Sequence, residues 1–396
     1  MTVFLGGGFA AKYLHGGGNF SVPLQWMLGL RRLKLDAIWL EHLPSEGNPR
    51  DDQRKIDNFQ RQLRAHGLGG RYCLLYQKTP DSAHDLDTLR CVGMSKRELL
   101  DRLAGPNALL NLSYSIHPPL LLKFERRIFC DLDPSEIIYW MTQMEMGQST
   151  HHEFWTIGLN VNDPDCKLLK MAPSRLPGMQ TSSPQPSTLR WKTFFPLVDT
   201  KLYQPKPRPR SPKFTTIGQW YWGGAVEVDG TFPDLSKKYA FERYFDLPKR
   251  APEAKFELAM HMNPDDPERE RLRKRGWHVV DPHRAARTPK KYRNYLAGAV
   301  GEFTAIKGVD VSWKTGWLSD RAAAFLATGR PVVTEDSGAG KYLPRASGFH
   351  FVGDLENAVA AIQDVLANWP RRAREARECA VEVFDSAKNL RKILGV

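Results

Sequence analysis

The sequence predicts an α/β protein with two sheets, because short apolar strands alternate with amphipathic helices in two separate blocks. The first block opens with the strand Val3-Phe4-Leu5, and the second opens with a strand from Phe214 to Gly218. Nine prolines interrupt the chain between Pro173 and Pro212. Proline at this density resists both helices and interior strands. We therefore expect two Rossmann-like domains facing each other across a cleft.

The expected boundaries follow from these patterns. An N-terminal Rossmann-like domain covers residues 1–180, a proline-rich linker covers 181–213, and a C-terminal Rossmann-like domain covers 214–375. A closing C-terminal helix covers residues 376–396. A length of 396 residues suits two domains better than one core.

The overall composition limits the cellular compartments in which the protein could reside. No stretch approaches the roughly 18 apolar residues that would span a bilayer, and the first residues lack the basic start of a signal peptide. Five scattered cysteines contain no C-x-x-C pair, which argues against a disulfide framework and against structural zinc. We expect a cytoplasmic protein without stable membrane insertion, as a monomer or weak dimer.

The formal net charge of +13 is the unusual bulk value. Such a charge attracts nucleic acid, anionic lipid or phosphorylated substrates, or simply serves solubility around one phosphate-binding cleft. The cations cluster in two segments, Arg190 to Lys213 and Arg269 to Arg293. As candidate contacts to a polyanion we single out members of the first segment, namely Arg190, Lys206, Arg208, Arg210 and Lys213.

The most informative stretch runs from Gly316 to Gly338. It reads as a loop, a helix of small residues, a Gly-Arg-Pro turn and a buried strand that ends in an Asp-Ser-Gly loop. Ser319 or Asp320 can cap the helix, and its free amides would suit a diphosphate. Arg321 could meet the charge of a departing nucleotide diphosphate. An ordinary βαβ crossover is the alternative.

This stretch resembles the donor-binding region of GT-B glycosyltransferases, which often carry an x-E-A-x-A-x-G-x-P-V-V pattern. It is similar to a bacterial and phage group with a "GW-SDR-LA-GRPV-DSG" signature. The resemblance implies a GT-B fold, a nucleotide-sugar donor (UDP-sugar favoured) in the C-terminal domain, and no obligatory metal. The implied donor contacts are Trp220, His261, Lys307, Ser319, Asp320, Arg321, Asp336, Ser337 and Gly338.

One departure concerns the retaining members of that family, which usually keep two glutamates eight positions apart. The register places Gly316 and Ala324 at those positions. A retaining outcome therefore cannot be carried over. Asp320 or Asp336 could substitute.

Asp131-x-Asp133 follows an apolar strand. A carboxylate at the carboxyl end of a strand can take the proton of an acceptor hydroxyl, so we expect one of the two to be the general base. The alternatives are a metal-binding D-x-D pair, as in single-domain glycosyltransferases, and a bland helix cap before Pro134.

Histidines and glycines supply further candidates in the first block. His117 and His151 are alternative catalytic residues, and adjacent His151 and His152 would point to opposite faces of a strand. Gly17 and Gly18 would let the backbone approach a sugar closely. The pattern Gly6-x-Gly8-x-x-Ala11 also matches a dinucleotide fingerprint, although further glycines interrupt the expected helix.

Together these features predict a glycosyltransferase that moves a hexose or pentose from a nucleotide sugar to a hydroxyl. The favoured acceptor is a 5-hydroxymethylpyrimidine in DNA, because the chain is basic and is similar in build to phage DNA-glucosylating enzymes; the compartment would then be the host cytoplasm. A saccharide, a lipid-linked sugar and a small natural product are the rival acceptors. Functions of another class are a non-catalytic nucleotide-sugar or nucleic-acid binding protein and a dinucleotide-dependent oxidoreductase.

Overall fold

A computed structural model describes residues 1–79, 84–171, 182–224, 226–228 and 230–396. The chain divides into two compact units. Unit 1 comprises Met1–Ile157, Met171–Phe194 and Ser386–Val396, and unit 2 comprises Gly158–Lys170 and Phe195–Asp385. In the described part of the chain no helix is both long and apolar enough to cross a membrane.

Unit 1 is built on an eight-stranded sheet in which only the edge strand β4 runs antiparallel to its neighbour. In chain order its strands are β1 (Thr2–Gly6), β2 (Asp36–Pro44), β3 (Tyr72–Gln77), β4 (Arg90–Val92), β5 (Asn107–Leu112), β6 (Arg126–Asp131), β7 (Glu153–Thr156) and β8 (Trp191–Thr193). The spatial order is β4-β3-β2-β1-β5-β6-β7-β8. The strand order reverses between β1 and β5, which defines a topological switch point.

Five α-helices flank this sheet: α1 (Gly17–Arg32), α2 (Pro49–Ala65), α3 (Lys96–Ala104), α4 (Pro134–Gln143) and α14 (Ser386–Leu394). The predicted capping box is present, since the Ser95 hydroxyl accepts the Glu98 amide at 3.1 Å to begin α3. Helix α14 packs closely on α1, where a Cβ on Gly29 would lie 2.6 Å from Leu390. The C-terminal helix is therefore part of unit 1.

Unit 2 contains a six-stranded parallel sheet with strands β9 (Lys213–Gln219), β10 (Lys255–His261), β11 (His278–Val280), β12 (Gly301–Thr304), β13 (Val332–Thr334) and β14 (Phe349–Phe351). The spatial order is β11-β10-β9-β12-β13-β14. This is the doubly wound order 3-2-1-4-5-6, with its switch point between β9 and β12. The predicted α/β class with two mainly parallel sheets is confirmed.

The helices of unit 2 are α5 (Lys237–Glu242), α6 (Leu247–Arg250), α7 (Pro267–Lys274), α8 (Pro282–Ala285), α9 (Pro289–Ala297), α10 (Gly308–Ser312), α11 (Asp320–Ala327), α12 (Leu355–Ala367) and α13 (Trp369–Glu382). Several begin at an Asp, Thr or Ser whose side chain accepts a backbone amide, as these residues commonly do. Helix α11 buries its alanines and Phe325 in the core, as its small residues predicted.

The compact units differ from the predicted domain ranges in three places. Gly158–Lys170, inside the expected N-terminal domain, belongs to unit 2. Residues of the expected linker form β8, which pairs in parallel with β7 in unit 1, and the second segment of unit 2 already starts at Phe195. The single long C-terminal helix is broken at Asp385, whose carboxylate accepts the Thr200 hydroxyl at 2.5 Å. The expected boundary between residues 180 and 181 lies outside the described residues.

Candidate functional site

The switch point of unit 2 gathers cationic side chains. Strand β9 pairs with β12 through Phe214 and Thr215, near the start of β9. Ligands of open α/β sheets bind in the crevice beyond the carboxyl ends of the strands at such a point. If Gly218 carried a Cβ atom, that atom would lie 3.6 Å from the Lys237 side chain and 3.9 Å from the Arg321 guanidinium. Two cations therefore lie beside the end of β9.

Arg321 is held in a fixed orientation. Its Nε donates to Glu302, one terminal nitrogen donates to the Ile217 carbonyl at 2.9 Å, and the other donates to the Thr304 hydroxyl at 3.3 Å. Glu302 is fully buried and also accepts the Thr216 hydroxyl at 3.0 Å. Because a guanidinium has five N–H donors, about two remain to bind an oxyanion. The ion pair thus positions Arg321 without using all of its donors.

Lys237 is the second cation at this edge. Its Nζ donates to the Ala305 carbonyl at 2.7 Å, directly after β12. Burial, and then the neighbouring charges of Arg321 and Lys307, lower the pKa of Lys237 to about 7. An anion bound beside it would reverse that shift, because opposite charge favours the ammonium form. The arrangement suits a diphosphate.

Glu335 fixes the loop that carries Lys307. The buried Glu335 carboxylate accepts the Ile306 amide at 3.0 Å and pairs with Arg243 at 2.6 Å. Lys307 follows, with its Nζ 4.9 Å from the centre of the Trp222 ring. Lys307 thus lies on the loop after β12, as its predicted donor role requires.

The loop before α11 and the Asp-Ser-Gly loop are hydrogen-bonded to each other, while their role in donor binding stays a prediction. The Ser319 hydroxyl caps α11 by accepting the Arg321 amide at 3.1 Å. The Ser337 hydroxyl donates to the Trp317 carbonyl at 2.7 Å, and the Gly316 amide donates to the Ser337 carbonyl at 2.9 Å. Burial raises the pKa of Asp320 to about 7. The Ser319 cap therefore occupies the Arg321 amide, and the Asp320 carboxyl lies at the same end of the helix.

The loop from Asp336 to Gly340, of which only Asp336 is exposed, contains an Asx turn. The Asp336 carboxylate accepts the Gly338 amide at 2.8 Å and the Gly340 amide at 3.3 Å. Gly338 has φ +91°, which favours glycine. Its Cβ would also lie 2.5 Å from the Asn160 amide nitrogen. Asp336 therefore orders this loop.

Two implied donor contacts need correction. Trp220 is fully buried and packs on Phe241 at 5.6 Å, so its indole belongs to the core and offers no surface to a ligand. The Ser337 side chain is also buried and is used to join two loops. His261, by contrast, is exposed at the end of β10, with its ring 5.2 Å from that of His283.

A cavity of about 590 Å³ opens elsewhere on unit 2, beside the edge strand β11. It is lined by Glu257, Arg269, Val279, Val280, Asp281, Arg284, Ala285 and Tyr295. Arg269 and Arg284 make it a second place where an anionic group could bind.

The switch point of unit 1 is shaped by the glycine-rich loop after β1. A Cβ on Gly7 would lie 2.0 Å from the Trp39 indole nitrogen, so only glycine fits there. The buried Glu41 accepts the Ala11 amide at 2.8 Å and the Trp39 indole at 2.9 Å. Burial raises the pKa of Glu41 to about 8. Glu41 therefore orders this loop instead of binding a ribose.

Gly17 and Gly18 form the first turn of α1, which follows Gly16 without a side-chain cap. The amides of this turn are therefore the donors that a ligand would meet at the start of a 16-residue helix. The first turn contains no acidic residue. This placement agrees with close backbone approach, which stays a prediction.

Among the predicted catalytic histidines, His151 is a structural residue. It is buried, its Nδ1 donates to the Gly147 carbonyl at 2.8 Å, and its Nε2 accepts from Asn111 at 3.1 Å. Burial lowers the pKa of His151 to about 4. With both ring nitrogens engaged, it has no lone pair to offer a substrate. His117 is exposed, in the loop after β5.

Asp131 is another predicted base that the structure places in the interior. It is fully buried at the end of β6, and its carboxylate accepts the Thr156 hydroxyl at 2.5 Å and the Asp133 amide at 2.8 Å. These bonds order the turn into α4. Asp133 is half-buried at the N-terminus of α4 and has no capping bond from its side chain.

The predicted polyanion contacts divide into two groups. Arg190, Lys206 and Arg210 are exposed. Arg208, although exposed, lies over the Trp369 ring at 5.9 Å and donates to a backbone carbonyl, while Lys213 pairs with Glu257 at 2.7 Å. Three of the five cations therefore remain solvated. Among the described residues, no group of three or more His, Cys, Asp or Glu side chains could hold a metal ion.

Three residues of the unit 2 site escaped sequence reasoning. Glu302 could have been found, because a carboxylate inside the short buried strand Gly-Glu-Phe-Thr needs a buried partner. Glu335 directly follows a buried strand, so the same argument could have identified it. Nothing in the sequence indicates a site role for Lys237, because the pair Lys237-Lys238 is typical of an ordinary helix surface.

No known protein family matches the sequence, and no curated protein does. Solved structures do match in fold. They include the pneumococcal O-GlcNAc transferase GtfA in complex with UDP and GlcNAc, with 9% identity and a TM-score of 0.56. HepE from Anabaena in complex with UDP-glucose shows 10% identity and a TM-score of 0.53. Sucrose-phosphate synthase from Thermosynechococcus elongatus shows 12% identity and a TM-score of 0.52.

Each alignment covers 100% of this chain and 98% of the other. Identities this low speak to architecture alone. The doubly wound order of both sheets agrees with that architecture. The chain therefore has the GT-B fold of these glycosyltransferases, as the sequence predicted.

Proposed function

We propose that the protein is a glycosyltransferase that uses a nucleotide sugar, favouring a UDP-sugar, and that unit 2 binds the donor. The observation that carries the proposal is the pair Lys237 and Arg321 at the switch point of the unit 2 sheet. The UDP and UDP-glucose complexes of structures with the same fold support it. A nonspecific anion site would not need an arginine fixed by a fully buried carboxylate.

In the proposed reaction the oxygen of an acceptor hydroxyl attacks the anomeric carbon of the donor. The bond between that carbon and the diphosphate oxygen breaks, and its electron pair leaves with the nucleoside diphosphate. Lys237 and Arg321 would stabilise the charge that develops on this leaving group. Lys307 would add a further positive charge.

The acceptor proton must pass to a base. Of the four side chains predicted for this role, His117 is the exposed one, whereas Asp131 and His151 are buried and hydrogen-bonded inside unit 1. A histidine is well suited to proton transfer near neutral pH. We therefore assign the base to His117 and keep Asp133 as the second candidate.

For the acceptor we propose a 5-hydroxymethylpyrimidine in DNA. The support is the net charge of +13 and the exposed cations Arg190, Lys206 and Arg210. A base inside a duplex would have to be flipped out, at a cost of a few kcal/mol. The membership of a phage group with the "GW-SDR-LA-GRPV-DSG" signature and a cytoplasmic location belong to this same proposal.

The decisive experiment incubates the protein with a panel of nucleotide sugars and DNA that contains hydroxymethylcytosine. Digested nucleosides are then examined by mass spectrometry for an added hexose or pentose. Transfer should require the hydroxymethyl group, and it should fall in Lys237→Met but not in the exposed control Arg345→Met. If no donor is bound and no nucleoside diphosphate is released with any acceptor, the proposal is wrong.

The DNA acceptor has its own test. Binding to DNA should weaken steeply as salt rises, because cations that contact phosphates release counterions. Changing Arg190, Lys206 and Arg210 to alanine should flatten this dependence. Donor hydrolysis without any DNA affinity at low salt would instead favour a saccharide acceptor.

A further inference from the structure

Four aromatic rings contact one another in a row at the edge of the unit 1 sheet where β2 and β5 end. The centres of the His42 and His84 rings are 3.9 Å apart with planes tilted by 46°, and those of His84 and His117 are 4.6 Å apart with planes 9° from parallel. The Tyr114 ring follows at 4.4 Å from His117. We call these four residues the ring stack. Its last histidine, His117, is the exposed one.

Hydrogen bonds determine which nitrogen carries the proton in each ring. The His117 Nε2 lies 2.7 Å from the Tyr114 carbonyl, which only accepts, so Nε2 carries the hydrogen and Nδ1 keeps a lone pair. The His84 Nδ1 accepts the backbone amide of His117 at 3.1 Å, so this nitrogen carries no hydrogen. The Tyr114 carbonyl therefore fixes one neutral tautomer of His117, and the His84 contact holds the backbone that carries this ring.

His84 is itself held from behind. The His42 Nε2 lies 2.7 Å from the Gln77 side-chain oxygen, and this contact fixes the tilted ring that packs against His84. Burial, and then the neighbouring His42 and His117, lower the pKa of His84 to about 3. The pKa values of His42 and His117 are also lowered, in each case first by removal of the ring from water. For His117 the neighbouring His84 and Tyr114 rings exclude this water, although the residue as a whole is exposed. The neutral form therefore predominates in all three rings at pH 7.

The loop that carries His117 needs such support. Ser113 and Tyr114, which precede it, both adopt positive φ angles of 46° and 59°. Residues in this region cost free energy and persist when their surroundings hold them. The contact from His84 to the His117 amide is one such restraint.

We propose that His84 is a positioning residue: by accepting the His117 amide and stacking on its ring, it presents the His117 Nδ1 lone pair to the hydroxyl group of the acceptor. This inference rests on the proposed function, because it deepens the assignment of the base. Nδ1 takes the acceptor proton while the glycosyl group is transferred. His84 does not touch the reacting atoms.

Two substitutions separate positioning from packing. In His84→Asn the amide oxygen can replace Nδ1 as the acceptor of the His117 amide, whereas His84→Leu fills the space without an acceptor. We expect kcat to fall at least about tenfold in His84→Leu, with KM for the nucleotide sugar unchanged, and to stay within about threefold of wild type in His84→Asn. Equal losses in both variants, or no loss in either, would overturn the proposal.

A readout independent of activity accompanies this comparison. Nitrogen-15 NMR of the histidine side chains should show His117 protonated at Nε2 in the wild type and in His84→Asn, and a mixture of tautomers in His84→Leu. A wild-type His117 protonated at Nδ1 would overturn the proposal even if the leucine variant failed to fold. If the wild type transfers no sugar, the proposed function fails, and the NMR result still decides whether His84 positions His117.

Discussion

Replacing Lys237 with methionine removes a cation at the unit 2 switch point whose pKa lies near neutrality. Lys237 donates to the Ala305 carbonyl at 2.7 Å, and its pKa is lowered to about 7 by burial and by the charges of Arg321 and Lys307. A nucleotide sugar brings two phosphate charges that stabilise the ammonium form. Binding should therefore raise the pKa of Lys237 and take up a proton.

The size of this effect follows from the pKa. With a value of about 7, roughly nine-tenths of the free protein carries the ammonium form at pH 6 and roughly one-tenth carries it at pH 8. A ligand that binds only this form should bind about tenfold more weakly at pH 8 than at pH 6. At pH 8 each binding event should take up about 0.9 proton, because most free lysines must be protonated first.

Calorimetry with UDP-glucose measures both quantities. This ligand is preferable to UDP because its phosphates are diesters and do not titrate near neutral pH. Titrations at one pH in two buffers with different ionisation enthalpies give the number of protons taken up, and a series between pH 6 and pH 8 gives the affinities.

The control is Lys238→Met, the adjacent lysine, which pairs with Glu268 at 3.6 Å. It should keep the wild-type pH dependence. Lys237→Met should bind weakly and lose most of the proton uptake, and any uptake that remains would come from Asp320, whose pKa is also about 7. If the wild type bound UDP-glucose equally well at pH 6 and pH 8 and took up no proton, Lys237 would not bind the diphosphate as its ammonium form.

Three further predictions concern stability and are measured by denaturant unfolding. Arg321→Met should lower the free energy of unfolding by about 3–5 kcal/mol, because it leaves the buried Glu302 without its ion-pair partner. Adding Glu302→Gln should restore part of this loss, and no recovery in the double variant would contradict the pairing. Trp220→Ala should lower the free energy of unfolding by about 3–5 kcal/mol, because it truncates a core side chain. Tyr221→Ala should lower it by less than about 1 kcal/mol, because Tyr221 is 44% exposed. Similar losses in the two variants would place Trp220 at the surface. Asp131→Ala should cost about 1–3 kcal/mol through two lost buried hydrogen bonds, and an unchanged unfolding midpoint would return Asp131 to the candidates for the base.

Much of the fold could be predicted because both units repeat a simple physical pattern. The near-continuous apolar strands of a parallel sheet, such as Phe4 and its neighbours, are buried on both faces and alternate with capped amphipathic helices. The linker was harder, because Trp191–Thr193 is too short to show a strand period among so many prolines. The break before α14 depends on the Thr200–Asp385 hydrogen bond, which joins distant parts of the chain.

The candidate site was predictable where it is local in sequence. The segment that contains Ser319, Arg321 and the Asp336 loop is one such stretch, and the structure joins its two ends as expected. Lys237 and Glu302 belong to the site only through the sheet, which brings residues far apart in the chain to one edge. Trp220 shows the reverse error, since an aromatic residue in a glycine-rich loop gives no sign of whether it faces the core.

The most direct test of the central claim is a crystal structure of the protein with a nucleotide sugar. We expect electron density for the diphosphate within hydrogen-bonding distance of Lys237 and Arg321, at the switch point between β9 and β12. Density for the diphosphate in the cavity lined by Arg269 and Arg284, or on unit 1, would contradict it.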